Sequence, residues 1–337
     1  MEMQQFIEKL LAAAKEQGID PAEAYVSAGS SFSANVMQGT IDAYNVSTRQ
    51  GLGLRGVYQG KMGYASTQAF DDEAIQQLIE GVKEGATLRE DEDAEEIYPG
   101  DASYPTVDSW SQELEQVSAA QKLDACLNIE KAAVSSQPTV TQCSGTRVGT
   151  ASGEIRLCNS YGLNLHHRSN MYLAYTDAIA QEGDSTATAM AFQSGRNFAE
   201  VDPQALGAKA ARDAAEALHG SPVPAGSYRI ILRWDAMQAL LETFCGIFSA
   251  ENAQQGMSLL NGREGEAIAA PCVTLMDDPL LPGGFASSPF DEEGVACRTK
   301  AVVEAGVLKT LLHNRKTAKK QGVASTGNAA RMGFPPR

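Results

Sequence analysis

The stretch from Leu275 to Arg331 sets the tightest limits on what this chain can fold into. It opens as an apolar strand, Leu275-Met276, that runs into the acidic turn Asp277-Asp278-Pro279. A loop of turn formers follows from Leu281 to Pro289, with Pro282, Gly283, Gly284, Ser287 and Ser288. After Phe290-Asp291-Glu292-Glu293-Gly294-Val295 come two short apolar runs, Arg298 to Val303 and Val307 to His313, joined at Glu304-Ala305-Gly306. The stretch closes with a basic segment, Asn314 to Lys320, and with Ser325-Thr326-Gly327-Asn328-Ala329-Ala330-Arg331. This pattern is a hairpin between two turn-rich loops. Gly306 supplies positive φ at the hairpin tip. Gly294 and Gly327 do similar work or let a second backbone approach closely. The loops present Asp278, Asp291, Asn328 and Arg331 from strand ends, where binding residues concentrate. The same residue types also serve purely as turn formers.

The rest of the chain has the bulk of an ordinary folded protein. Its 337 residues suffice for about two or three domains, and 43% of them are hydrophobic, enough to build full cores. The net charge of −15 argues against nucleic acid, whose phosphates need clustered Lys and Arg, and against anionic membrane surfaces. No apolar run approaches the roughly 20 residues of a membrane span. Met1-Glu2-Met3-Gln4-Gln5 lacks the basic start of a signal peptide, so a cytoplasmic location is expected and the glycosylation triplet Asn45-Val46-Ser47 carries no meaning. The six cysteines, 126, 143, 158, 245, 272 and 297, are scattered without a CxxC pair. They read as reduced, mostly buried thiols rather than a zinc ribbon.

Taken in order, residues 2–17 show helical spacing, with Phe6, Ile7, Leu10, Leu11 and Ala14 on one face. From Ala22 to Phe70, short alternating runs cut by glycines predict an antiparallel meander, followed by a helix from Asp72 to Gly85. Gly51-Leu52-Gly53-Leu54-Arg55-Gly56 spells GxGxxG, but it leads into Val57-Tyr58 and another turn rather than a helix. It therefore fails as a dinucleotide fingerprint and reads as a strand with close backbone packing. An acidic run from Glu90 to Glu96, then Pro99, Gly100 and Pro105, predicts a solvated linker. A long helix is expected from Ser111 to Ser135, strands to about Phe198, and a helix over 203–219. The helix–meander–helix plan thus occurs twice, which suggests an internal duplication. His166 and His167 are adjacent in a strand and point to opposite faces, a poor arrangement for one metal. After a strand from Tyr228 to Leu232, Asp235 and Gln238 offer a capping-box-like start to another helix. The expected fold class is α+β: antiparallel meanders packed with helices in the N-terminal half, then a β-rich C-terminal domain with one long central helix. The expected domains are 1–110, 111–222 and 223–337.

Four ordered motifs then resemble one family. They are Asp278-Pro279, Phe290-Asp291-Glu292-Glu293-Gly294, Glu304-Ala305-Gly306-Val307-Leu308-Lys309 and Thr326-Gly327-Asn328-Ala329-Ala330-Arg331. They resemble the TldD/PmbA family, and the Gly53-Leu54-Arg55 strand is similar to that family's first domain. The resemblance implies cytosolic metallopeptidase machinery built from two related subunits. One subunit type carries HExxxH, two zinc-binding histidines and a glutamate base, on the helix after residue 232; the PmbA/TldE type does not. In one register the histidine positions fall on Glu242 and Ile247, in the other on Leu241 and Gly246. Neither holds a histidine, and there is none between His219 and His313. A catalytic zinc needs three good protein donors, so no metal is expected in this chain and Cys245 reads as a small buried hydrophobe. Phe248-Ser249-Ala250-Glu251-Asn252 and Gly256-Met257-Ser258 resemble the PmbA/TldE type. The family also implies more strands beyond Phe334-Pro335-Pro336-Arg337.

Three functions remain open on the sequence. The first is a metal-free subunit that pairs with a zinc-bearing TldD-like partner and helps hold an unfolded peptide as an added strand. The second is a self-contained, homodimeric peptide-binding or regulatory module. The third is a hydrolase using carboxylates at Asp278 and Asp291. Adjacent acids at turns, Asp277-Asp278 and Asp291-Glu292, are expected to be solvated. The basic residues Lys309, Arg315, Lys316, Lys319 and Lys320 are expected to pair internally or with a partner subunit.

Overall fold

A computed structural model describes residues 2–89 and 96–331. The acidic run as far as Glu95, and the Phe334–Arg337 end, lie outside the described residues.

The first half is built twice over from helix, three strands and helix. Helix α1 (Met3–Glu16) leads into β1 (Ile19–Met37), β2 (Thr40–Tyr58) and β3 (Lys61–Thr67), and α2 (Asp72–Leu88) returns over them. Next come α3 (Gln112–Glu115) and α4 (Ala119–Ser136), then β4 (Val140–Asn159), β5 (Asn164–Glu182), β6 (Ser185–Gly195) and α5 (Pro203–Ala217). The six strands form a single antiparallel sheet in the order β3-β2-β1-β4-β5-β6. Read outward from the β1/β4 pair, both sides have the same order. Residues 1–110 and 111–222 therefore each supply half of one sheet. The meander is not made of short runs as expected: β1 and β2 are 19 residues each. Gly29, Gly51 and Gly63 lie within strands and do not cut them. Two-residue turns with positive φ at Gln38-Gly39 and Gln59-Gly60 do.

Alternation along the strands decides the layers. Ala24, Val26, Ala34 and Val36 of β1 share one buried face. Its near end packs under α1 and α2 through Phe6, Leu10, Leu78 and Val82. Its far end packs under α4 and α5 through Ile129, Leu206 and Ala210. Each fully buried Leu or Phe of this kind contributes about 2–3 kcal/mol. Glycines set how closely the layers approach. A Cβ on Gly63 would lie 1.9 Å from the carbonyl oxygen of Val82, so α2 rests directly on the β3 backbone. In the GxGxxG segment, a Cβ on Gly56 would lie 2.3 Å from the Ile19 side chain, which is the close packing read from the sequence.

The long helix expected from Ser111 is two helices. Ser118 accepts from the Gln121 N–H, and the Gln121 side chain reaches back to Ser118, a capping box that starts α4 afresh. The linker keeps residues 101–103 exposed but is tied down where it is described. The Tyr98 carbonyl accepts from Asn159 at 2.6 Å, the Tyr104 hydroxyl donates to the Gly294 carbonyl at 2.7 Å, and Ser109 donates to the Arg168 carbonyl at 2.6 Å. Backbone groups running over a sheet need such partners, and these sew residues 96–111 to both halves of the chain.

The last third holds α6 (Trp234–Phe244), α7 (Ala250–Gln254), β7 (Leu275–Asp277), β8 (Lys300–Glu304), β9 (Val307–Leu308) and α8 (Arg315–Gln321). The three strands form a second antiparallel sheet, β7-β8-β9, around Val302, Val303, Leu308 and Leu311. Gly306 takes positive φ at the hairpin tip, as the sequence required, and Ala305 beside it does so too. Two expectations fail here. Residues Tyr228 to Leu232 form no strand and pair with no described strand. Asp235 does not cap α6; its carboxylate is drawn to Arg233, 2.5 Å away, and Arg233 itself occupies the cap position. The apolar row of α6, including Met237, Leu240, Leu241 and Phe244, is exposed. The α+β class stands. No described helix is long and apolar enough to cross a membrane.

Candidate functional site

The C-terminal loops come together over one end of the sheet, on the face opposite the helices. Tyr25 and Leu157 point there and meet Leu165 and Phe290. The turn after Phe290 folds around Asp291, which is only 6% exposed. One of its carboxylate oxygens accepts from the N–H groups of Glu293 and Val295, both at 2.9 Å. The other accepts from Ala329 at 3.0 Å. Asp291 is thus not the solvated turn acid that the sequence suggested. Burial pushes its carboxyl up to about 6, against the pull of those donors.

Three of the four candidate residues converge here. The Arg331 backbone N–H donates to the Glu292 carboxylate, and its Nε donates to the Glu292 carbonyl at 2.7 Å. Its guanidinium lies over the Tyr25 ring, 4.3 Å from the centroid, and meets the Glu23 carboxylate at 2.7 Å. Glu23 also holds Arg55, at 2.7 and 3.2 Å, and is itself fully buried. Tyr25 donates its hydroxyl to Glu292 at 3.1 Å, and burial raises its pKa far above the usual phenol value. Asn328, next to Ala329, reaches Asp277 at 2.8 Å, and Asp277 pairs with Lys300 at 2.6 Å. Asp278 stays on the rim. It accepts from the Thr299 hydroxyl at 2.5 Å and caps its own turn at Leu280.

Sequence reasoning missed Glu23 and Tyr25. Arg55 was visible only as part of a glycine-rich strand. The signal was an acid at position 23 inside an apolar run, where only a buried partner makes it tolerable. Two arginines and two glutamates compensate one another within this cluster. With their oxygens already accepting from N–H and O–H donors, the carboxylates hold chains in place rather than offering a free base. Gly294, beside the cluster, takes positive φ, and a Cβ there would lie 2.8 Å from Leu157.

Helix α6, on which the family's metal positions fall, is not brought to this cluster. Glu242 bonds to Gln238 at 2.8 Å, and Leu241, Gly246 and Ile247 carry no donor group. Cys245, expected to be buried, is exposed, as is Cys272. It sits in a short 3-10 turn after α6, which itself buries no residue, and its thiol donates to the Glu242 carbonyl at 3.3 Å. These residues do not fit zinc, because one carboxylate is the only strong donor among the family positions. Among the described residues, no group of three or more His, Cys, Asp or Glu is placed to hold a metal. His166 pairs with Glu154 at 3.0 Å, and His167 packs edge-on against Phe290. The other four cysteines are buried, and burial pushes the Cys297 thiol up to about 12, which keeps it unreactive. Of the basic residues, Lys319 pairs with Glu96 at 2.8 Å, Arg315 with Glu96 at 3.7 Å and Lys309 with Glu304 at 3.1 Å.

Known proteins are similar to this chain in sequence and fold. Residues 22–86, 112–218 and 225–337 match domain 1, the central domain and the C-terminal domain of the PmbA/TldA metallopeptidases. A metalloprotease of Methanothermobacter thermautotrophicus is 27% identical over 318 residues, covering 90% of this chain and 67% of its own length. Metalloprotease PmbA of Escherichia coli is 23% identical over 325 residues, covering 95% and 71%. A TldD homologue of Haemophilus influenzae is also 23% identical, over 331 residues and 94% and 68% of the two chains, so identity alone does not separate the subunit types. Among solved structures, a candidate modulator of a DNA gyrase from Thermotoga maritima superposes with a TM-score of 0.91 at 27% identity, over 99% of this chain and 76% of its own. TldE from Thermococcus kodakarensis shares the fold, with a TM-score of 0.86 at 22% identity, over 98% and 75%. With its segments matched in order along most of its length, this chain belongs to the PmbA/TldD family of metallopeptidases.

Proposed function

We propose that this chain is the PmbA/TldE-type, metal-free subunit of a cytoplasmic peptidase. It pairs with a TldD-like partner that brings zinc, and it helps to hold unfolded peptide for cleavage. The observation that carries the reading is α6: a helix in the family's metal-binding position whose candidate positions are Glu242 and Ile247, or Leu241 and Gly246. A hydrolytic zinc needs donors that these side chains lack. The buried pairing of Glu23, Arg55 and Arg331 supports a scaffolding role for the conspicuous C-terminal motifs. It speaks against a carboxylate hydrolase at Asp278 and Asp291, whose oxygens already accept from Thr299 and from backbone N–H groups.

The test is reconstitution. The purified chain is analysed for metal, then mixed with a paralogue carrying HExxxH and given an unstructured peptide. The expected result is no stoichiometric zinc in this chain, no cleavage by it alone, and cleavage by the mixture. One zinc per chain together with cleavage by this chain alone would overturn the reading. Recovery from its own cells of only a second copy would favour the homodimeric binding module instead.

A further inference from the structure

The six-stranded sheet has one long backbone edge. β3 pairs with β2 from Tyr58 back to Leu52, where its partner is Thr67, and stops there. The chain then leaves the sheet at Gln68 and enters α2 at its cap, Asp71. β2 continues the other way to Thr40, paired with β1 on one side. Among the described residues, no strand pairs with Thr40–Gln50 on the other side. Alternate residues along such an edge direct N–H and C=O groups outward, and only another extended backbone satisfies them in series. Natural edges are blunted by lysines, prolines or bulges. This one has no proline and no lysine, its charged residues are Asp42 and Arg49, and its single register shift against β1 falls at Asp42, leaving residues 43–50 regular. Ile41, Tyr44 and Val46 stand exposed along it.

The edge ends in a cavity of about 410 Å3, lined by Glu2, Met3, Gln50, Gln68, Phe70 and Asp71 among others. A strand that continues the line of β3 runs antiparallel to β2 and begins at this cavity. Its amino-terminal end then lies beside Glu2 and Asp71, acids of which Asp71 spends one oxygen capping α2 at Ala74, a match for an α-amino group or a basic side chain. A second copy of β2 offers no such match, because the turn it would bring to that end is Gln38-Gly39, which is uncharged.

We propose that the Thr40–Gln50 edge of β2 takes up an extended peptide as a seventh strand, antiparallel to β2, with the peptide's amino-terminal end in the Glu2/Asp71 cavity. This rests on the reading that the chain holds unfolded peptide, and adds where and in which direction. Backbone pairing makes the grip independent of peptide sequence apart from the cationic end.

The experiment uses the full chain and a labelled ten-residue Val/Thr/Ser peptide with lysine at its amino end. Two further peptides carry N-methyl groups at only odd or only even positions. One of the two is expected to bind at least about tenfold more weakly and the other nearly as well as the parent, because outward groups alternate. Acetylating the amino end and replacing the lysine is expected to weaken binding about threefold, as for a partly exposed charge pair. Equal losses in the two N-methyl series, or none, would overturn the seventh strand while leaving the chain a peptide holder. Failure of every peptide to bind, with or without a partner subunit, would overturn both. A dimer that the peptide does not displace, and that Val46→Lys dissociates, would assign the edge to a second copy and overturn the inference.

Discussion

Asp291 accepts three backbone N–H groups, two from its own turn and one from Ala329, nearly forty residues further on. Removing the side chain leaves those donors unpaired in a buried place, at a cost of about 1–3 kcal/mol. The raised pKa adds a pH signature. Below the ordinary carboxylate range near 3.9, Asp291 is protonated whether folded or unfolded. Between there and about 6 the folded protein holds the proton that the unfolded chain has lost. Its contribution is therefore full in acid and falls as the pH rises through that window, by up to about 3 kcal/mol. Asp291→Asn removes the titration. Denaturant unfolding at pH 4 and pH 7 should show wild type losing stability relative to this variant as the pH rises. Parallel curves at the two pH values would show that burial does not govern this carboxyl. At this scale the sequence was partly legible. Asp291, Asn328 and Arg331 could be picked out as candidates, since turn formers crowd around them. Glu23 could not, because its partner Arg331 lies about three hundred residues away, and only folding brings a charge to meet it.

Elements pack through their glycines as much as through their apolar faces. Gly63 on β3 lets α2 lie on the strand backbone, and Gly207 on α5 does the same against α4, where a Cβ would come 2.5 Å from the Ile129 carbonyl oxygen. Neither φ is unusual, so the constraint is space. Gly63→Ala should destabilise by about 1–3 kcal/mol through overpacking, with the α-helical content unchanged, read by chemical denaturation alongside circular dichroism. Gly39→Ala, at an open turn with positive φ, serves as the contrast: strain without a clash, and a smaller loss. Helix faces in the first half were legible because their period shows through. The break between α3 and α4 was not, since apolar residues continue on both sides of Ser118 and the capping bonds that divide them are local polar choices. The exposure of α6 was not legible either. An amphipathic pattern reports that a face is apolar, and does not say what covers it.

The whole molecule depends on pairings between distant segments. β1 lies between β2 and β4, so residues 1–110 alone would leave Glu23 to Val36 of β1 without their second neighbour. A fragment of residues 1–222 keeps all six strands of the sheet. The shorter fragment is expected to aggregate or to lack a cooperative transition, and the longer one to unfold cooperatively, each followed by near-UV circular dichroism on heating. Cooperative unfolding of the 1–110 piece would show that the β1/β4 seam is a docking surface rather than part of one core. By itself the sequence determined the local periods, the turns that need positive φ, the family motifs and the absence of histidine from the α6 register. All of these follow from residues within a few positions of one another. Only the tertiary structure decided that the two meanders merge into one sheet, that Glu23, Arg55 and Arg331 share a buried charge cluster, and that β2 keeps an open edge. Hydrogen-bond ladders and ion pairs join groups by distance in space, and separation along the chain carries almost no information about that distance.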